Sequence, residues 1–103
     1  MPQFLYRIQP TRPEMLSAST ADEDLIVEKH FAYLKDLRDR GVVLLAGRTL
    51  NEDPSSFGIV ILEAALEAEA RNVMVEDPGV RDGVFRAQLF PYSVALASEK
   101  ILE

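Results

Sequence analysis

The 103-residue chain has no cysteine, no tryptophan and a single histidine. Without cysteine there is no disulfide framework and no thiol nucleophile. One histidine and no cysteine are also too few soft ligands for a zinc site of the usual kind. The acidic stretch Asn51-Glu52-Asp53 lacks the spacing of a calcium loop. Glycines stand singly, so no glycine-rich loop offers a cradle for phosphate. No apolar run approaches the ~18–20 residues needed to cross a bilayer. Met1-Pro2-Gln3-Phe4 shows neither the basic nor the apolar region of a signal peptide. Positive charge is scarce: 11 Lys and Arg face 17 Asp and Glu, a net charge of −6 that repels a phosphate backbone. These absences lead us to expect a cytoplasmic protein that uses no metal or other cofactor and binds neither nucleic acid nor membrane. A small-molecule ligand is the partner class that remains.

What is present is the composition of an ordinary globular protein, 48% hydrophobic and 27% charged. At this length we expect one domain over residues 1–103 with a real core. Gln3 to Gln9 alternates Phe4, Tyr6 and Ile8 with Leu5, Arg7 and Gln9, the period of a strand. Pro10 to Ser19 reads as a loop. Thr20 with Glu23 three residues on forms a capping box, which predicts a helix from Ala21 to about Arg40, closed by Gly41. Val42–Ala46 and Phe57–Leu62 are apolar strands joined by the turn residues of Asn51–Ser56, an antiparallel hairpin. Ala64 to about Glu76 reads as a second helix with Leu66, Ala70, Val73 and Met74 inward, ended by Asp77-Pro78-Gly79. Val84–Phe90 is the last strand, and Tyr92–Glu103 reads as a short helix or an arm.

The order β-α-β-β-α-β is that of an α+β, ferredoxin-like sandwich, two split βαβ units with both helices on one face of the sheet. The hairpin strands are apolar on both faces, with Phe57, Ile59 and Ile61 on one and Val60 and Leu62 on the other. Two helices cover only one face, so we expect the other to pair in a homodimer.

Few residues carry chemistry. On the first helix, at about 100° per residue, Ile26, Leu37, His30, Leu34, Val27 and Phe31 fall across one apolar face. His30 is thus an ionisable ring on a face otherwise built for packing, with an unperturbed pKa near neutrality. A carboxylate beside it would orient the ring and stabilise its protonated form. Glu23 and Asp77 are the candidates. Asp77 is favoured because it continues the inward register of Leu66, Ala70 and Val73. The plainer alternative is a turn-capping Asp77 and a core His30 satisfied by one hydrogen bond. Arg7 and Arg86 share a sheet face that would suit a carboxylate substrate, or simply solvent. Arg48 follows Gly47 at a strand end, where loops often carry function. Tyr33 and Tyr92 read as packing residues.

The residues also resemble a known family. Glu28-Lys29-His30-Phe31-Ala32-Tyr33-Leu34 and Arg40-Gly41-Val42-Val43-Leu44-Leu45-Ala46-Gly47-Arg48-Thr49 carry the likeness. It resumes at Phe57-Gly58-Ile59-Val60, Ala70-Arg71, Glu76-Asp77-Pro78 and Phe90-Pro91-Tyr92. Together these are similar to the YciI-like, or YCII-related domain, family. The resemblance implies a dimeric α+β barrel whose cleft opposes a His and an Asp, here His30 and Asp77, as a catalytic dyad. One member type is a dehydrochlorinase acting on a chlorinated hydroxyquinol, while most have no assigned reaction. The chain departs from the commoner pattern with Gly79 where an aromatic often follows Asp-Pro, and with Gly47-Arg48-Thr49 in place of Gly-Pro. The reading that follows is an enzyme doing general acid–base chemistry (proton abstraction, elimination or hydrolysis) with His30 and Asp77 catalytic and Arg48 and Arg7 binding substrate. The alternative is a non-catalytic dimeric module that holds a small ligand.

Overall fold

A computed structural model describes residues 1–102. Four strands, β1 (Gln3–Pro10), β2 (Val43–Arg48), β3 (Gly58–Glu63) and β4 (Phe85–Tyr92), form one sheet in the order β2-β3-β1-β4. Every neighbouring pair is antiparallel. The helices are α1 (Ala21–Asp39), α2 (Glu67–Glu76) and a short α3 (Pro78–Arg81). Single 3-10 turns occupy Pro13–Leu16 and Glu99–Leu102. The protein is thus α+β with the expected succession of strands and long helices. No helix among the described residues is long and apolar enough to cross a membrane.

The period-two pattern of β1 buries Phe4, Tyr6 and Ile8 on the helix-covered face, where they meet Val43, Val60 and Leu62 from the neighbouring strands. Leu34 and Leu37 of α1 and Ala70 and Met74 of α2 close this core from above. The capping box forms as expected: Thr20 Oγ1 accepts the Glu23 N–H at 3.1 Å, and Glu23 Oε1 accepts the Thr20 N–H at 2.9 Å. At the far end Gly41 takes a φ of 79°, the left-handed conformation that closes the helix.

Several elements differ from their sequence-based outlines. α2 begins at Glu67 rather than Ala64: the Ala64 N–H continues the strand pairing to Pro2 O at 3.1 Å, and the backbone is still extended at Leu66, with φ −132° and ψ 150°. That bond extends the strand path, so Leu66 becomes an exposed N-cap instead of an inward residue. Asp77-Pro78-Gly79 is a helix start as well as a turn: Asp77 accepts the Gly79 N–H on its side chain and Pro78 fills the first helical position, which together nucleate α3. In β2 the register shifts between Val43 and Leu45, so Leu44 is left as a bulge and Arg48 falls opposite Gly58, on the helix-covered face. Phe31 is 68% exposed, at the edge of the apolar face of α1 and outside the core.

Candidate active site

Between α1 and the β2, β3 end of the sheet lies a cleft of about 810 Å³. Ile8, Val27, Leu34, Phe57 and Phe85 give it apolar walls, and Phe31 stands at its rim. His30, Arg48 and Ser56 are among its polar members.

His30 projects from α1 and meets Asp77 from the α2–α3 junction, 47 residues away in the chain. Its Nδ1 lies 2.7 Å from Asp77 Oδ1 and 2.9 Å from Oδ2. Asp77 is 0% exposed, and the His30 side chain retains 12%. The carboxylate has two further donors: the Gly79 N–H reaches Oδ1 at 2.9 Å, and the Tyr6 hydroxyl reaches Oδ2 at 2.8 Å. An ionised carboxylate only accepts, so this donor set assigns a proton to Nδ1 and fixes the tautomer of the neutral ring. Nε2 bonds to nothing among the described residues, yet no buried side-chain nitrogen or oxygen there lacks a partner. Nε2 is therefore accessible, and the cleft is the space it faces.

Two neighbours shape this arrangement. The Phe85 ring packs edge-on against His30, with centroids 5.2 Å apart and an interplanar angle of 63°. Gly79 lies beneath both rings. A Cβ there would sit 2.5 Å from Phe85 Cδ2 and 3.3 Å from His30 Nδ1. Phe85 thus fills the space that a side chain at position 79 would need.

The titration of nearby groups follows from burial. Tyr6 is pushed far above the usual phenol range, first by desolvation and then by the charge of Asp77 and its hydrogen bond. Tyr33 is raised to about 12, mainly by desolvation and then by the charges of Asp77 and Glu76. Its hydroxyl donates to Val73 O at 2.7 Å, tying α1 to α2.

Of the residues singled out in the sequence, His30, Asp77 and Arg48 come together around the cleft. Arg48 forms no ion pair among the described residues. Glu23, the other carboxylate considered for His30, instead pairs with Arg12 at 2.6 Å. Arg7 lies on the opposite face of the sheet, where it donates to Gln88, and Arg86 donates to Gln9 at 3.1 Å. Tyr6 joins these residues without a motif to mark it; its one signal in the sequence is a phenol at an inward strand position, a place where a hydroxyl needs a partner. Among the described residues no group of three or more His, Cys, Asp or Glu is placed to hold a metal ion.

The family model for the YCII-related domain matches residues 4–91, which takes in all but the outermost residues of the sheet and includes His30, Asp77 and Gly79. The chain belongs to the YCII-related domain family. No curated protein matches this YCII-related chain. Among solved structures it is similar to 5-chloro-2-hydroxyhydroquinone dehydrochlorinase (TftG) from Burkholderia phenoliruptrix AC1100, in complex with 2,5-dihydroxybenzoquinone. The superposition has a TM-score of 0.66 and covers 88% of this chain and 93% of the other. At 21% identity the likeness is one of fold.

Proposed function

We propose that the cleft is the active site of a small-molecule enzyme in which His30 Nε2 moves a proton and Asp77 holds and polarises the ring. The observation that carries this reading is the 2.7 Å bond from His30 Nδ1 to a carboxylate with no solvent exposure, with Nε2 left open. The neutral ring presents a lone pair to a carbon or oxygen acid. Once it has taken the proton, the imidazolium is stabilised by Asp77 and can return that proton to a leaving group. This arrangement suits proton abstraction, elimination or hydrolysis, and a well-placed group of this kind contributes roughly 10²–10⁴-fold. Arg48 supplies positive charge for an anionic part of the substrate, while the aromatic and aliphatic walls take its apolar body. The fold shared with a dehydrochlorinase bound to a dihydroxybenzoquinone makes oxygenated rings the first substrates to try, and elimination the first reaction. Its position across the sheet leaves Arg7 outside this cleft.

We also propose that the ferredoxin-like sandwich pairs through its uncovered sheet face into a homodimeric α+β barrel. In support, Leu45, Ile61, Leu5 and Phe90 form one apolar cross-strand row on that face, with Phe90 left exposed at its end.

The test is a panel of chlorinated and unsubstituted hydroxyquinols and phenols, followed by absorbance and chloride release. Wild-type turnover should fall by roughly 100-fold or more in His30→Gln while binding persists, and Arg48→Ala should chiefly raise KM. Turnover that survives His30→Gln would overturn the proposal. Tight binding with no turnover, unaffected by His30→Gln, would identify a ligand-binding module instead.

A further inference from the structure

The geometry points to Tyr6 as a positioning residue that sets the proton affinity of His30: its hydroxyl, held on Asp77 Oδ2, takes up carboxylate charge that would otherwise fall on the imidazole. This rests on the reading of His30 and Asp77 as the working pair.

Tyr6 occupies the centre of the sheet's inner face between Phe4 and Ile8, fully buried. Packing alone would be met by phenylalanine, since a hydroxyl in this place costs free energy unless it finds a partner. Its partner is Asp77 Oδ2 at 2.8 Å, 71 residues away. The distribution of donors around the carboxylate is symmetrical. Oδ1 takes the Gly79 N–H and Oδ2 takes the Tyr6 O–H, while His30 Nδ1 lies within 2.7 and 2.9 Å of the two oxygens. The Gly79 donor belongs to the backbone. Tyr6 is the side-chain donor that a substitution can delete while leaving the other contacts in place.

A buried carboxylate bonded on both oxygens to one imidazole strongly favours the imidazolium, and an imidazolium is no base. Each further donor lowers the carboxylate's charge density and with it that preference. Tyr6 thereby weakens the carboxylate's hold on the charged ring, so that less of the carboxylate's charge opposes return of the proton. Burial and the adjacent charge keep the phenol protonated, so it remains a donor throughout. The other charged groups act from farther away. Tyr33 on α1 and Arg81 on α3 feel Asp77 only through space. Asp24 and Glu28 on α1 and Arg48 on β2 share the cleft with His30, and none of them bonds to the carboxylate. From β4 the neighbour is the uncharged Phe85 ring.

The experiment is an NMR titration of the His30 ring nitrogens in the full-length protein. Four forms are compared: wild type, Asp77→Asn, Tyr6→Phe, and protein carrying 3-fluorotyrosine at position 6. Asp77→Asn should lower the His30 pKa. Tyr6→Phe should raise it by about half a unit to one unit, because a hydrogen bond to the charged form is lost from the carboxylate. The fluorinated phenol is a stronger donor and should lower it. A pKa that is unchanged, or that moves the same way in both Tyr6 forms, overturns the inference while leaving the pair intact. A pKa unchanged in Asp77→Asn overturns the pair itself. If Tyr6→Phe does not fold, the sign of the fluorotyrosine shift decides the matter alone. A tyrosine that served only packing would give no shift of opposite sign in the two forms.

Discussion

Asp77 is fixed through its side chain and its backbone at once. Its carboxylate accepts from Tyr6, His30 and Gly79, while its carbonyl accepts the Val80 and Arg81 N–H groups at 2.9 and 2.7 Å. Asp77→Ala strands the buried Tyr6 hydroxyl and the Gly79 N–H. Each such donor costs about 1–3 kcal/mol, so we expect a loss of about 2–6 kcal/mol by urea unfolding. Asp77→Asn retains an acceptor and should lose less. Gly79→Ala should cost about 1–3 kcal/mol, because the new methyl overlaps the Phe85 ring. It should also perturb the His30 ring signals in NMR spectra, since both side chains share that contact. At this scale the sequence was readable where a residue's chemistry clashed with its surroundings. A histidine on the apolar face of α1 stands out, and the inward register of Ala70 and Val73, though not of the exposed Leu66, leads to Asp77 as its partner. Tyr6 did not stand out, because phenol is half hydrophobe and its alternation with Phe4 and Ile8 is that of any core strand. The bond that distinguishes it is 71 residues distant, and no local pattern encodes it.

Among the elements, the N-terminus of α1 shows how a local signal is extended by a distant one. Glu23 completes the capping box and also receives Arg12, whose Nη2 lies 2.6 Å from Oε1, so the loop before α1 is drawn onto the helix start. The Arg12 hydrogen bond, with help from the Thr20 backbone, holds the Glu23 carboxyl at about 2, below its ordinary 4.5. A carboxyl with a depressed folded-state pKa stabilises the fold above 4.5, and that contribution is lost as pH falls from about 4.5 towards 2. Wild type should therefore be more stable than Arg12→Ala at pH 6, with the gap closing as the acid limb is descended in urea titrations. Thr20→Ala should cost about 1 kcal/mol by the same measurement. The box was legible because Thr20 and Glu23 are three residues apart. The start of α2 was not, because helix formers run unbroken from Ala64 while the backbone stays extended through Leu66, continuing the pairing of β3 with the start of β1. α3 was hidden for another reason: Asp-Pro-Gly serves equally as a turn and as a helix start, and four residues give no periodicity to separate them.

For the molecule as a whole, the two faces of the sheet have different fates. One is sealed by α1 and α2. On the other, Leu5 stands between Ile61 and Phe90 in one cross-strand row, and Phe90 remains 43% exposed. If the barrel forms by joining two such faces, sedimentation should give a dimer at micromolar concentration, and Phe90→Glu should give a folded monomer with unchanged far-UV circular dichroism. The pairing of Arg7 with Gln88 and Arg86 with Gln9 places polar side chains on this same face. The sequence had grouped the two arginines correctly. The joint made at Asp77 reaches beyond the cleft. Its three ligands come from β1, α1 and α3, so the carboxylate is enclosed only when sheet and helices have all assembled. The Gly79 amide proton therefore doubles as a built-in gauge of the native state. Bonded to a buried anion, it should resonate well downfield and exchange with deuterium only at the pace of whole-molecule opening. A single peak would then report the integrity of the site and the stability of the fold together.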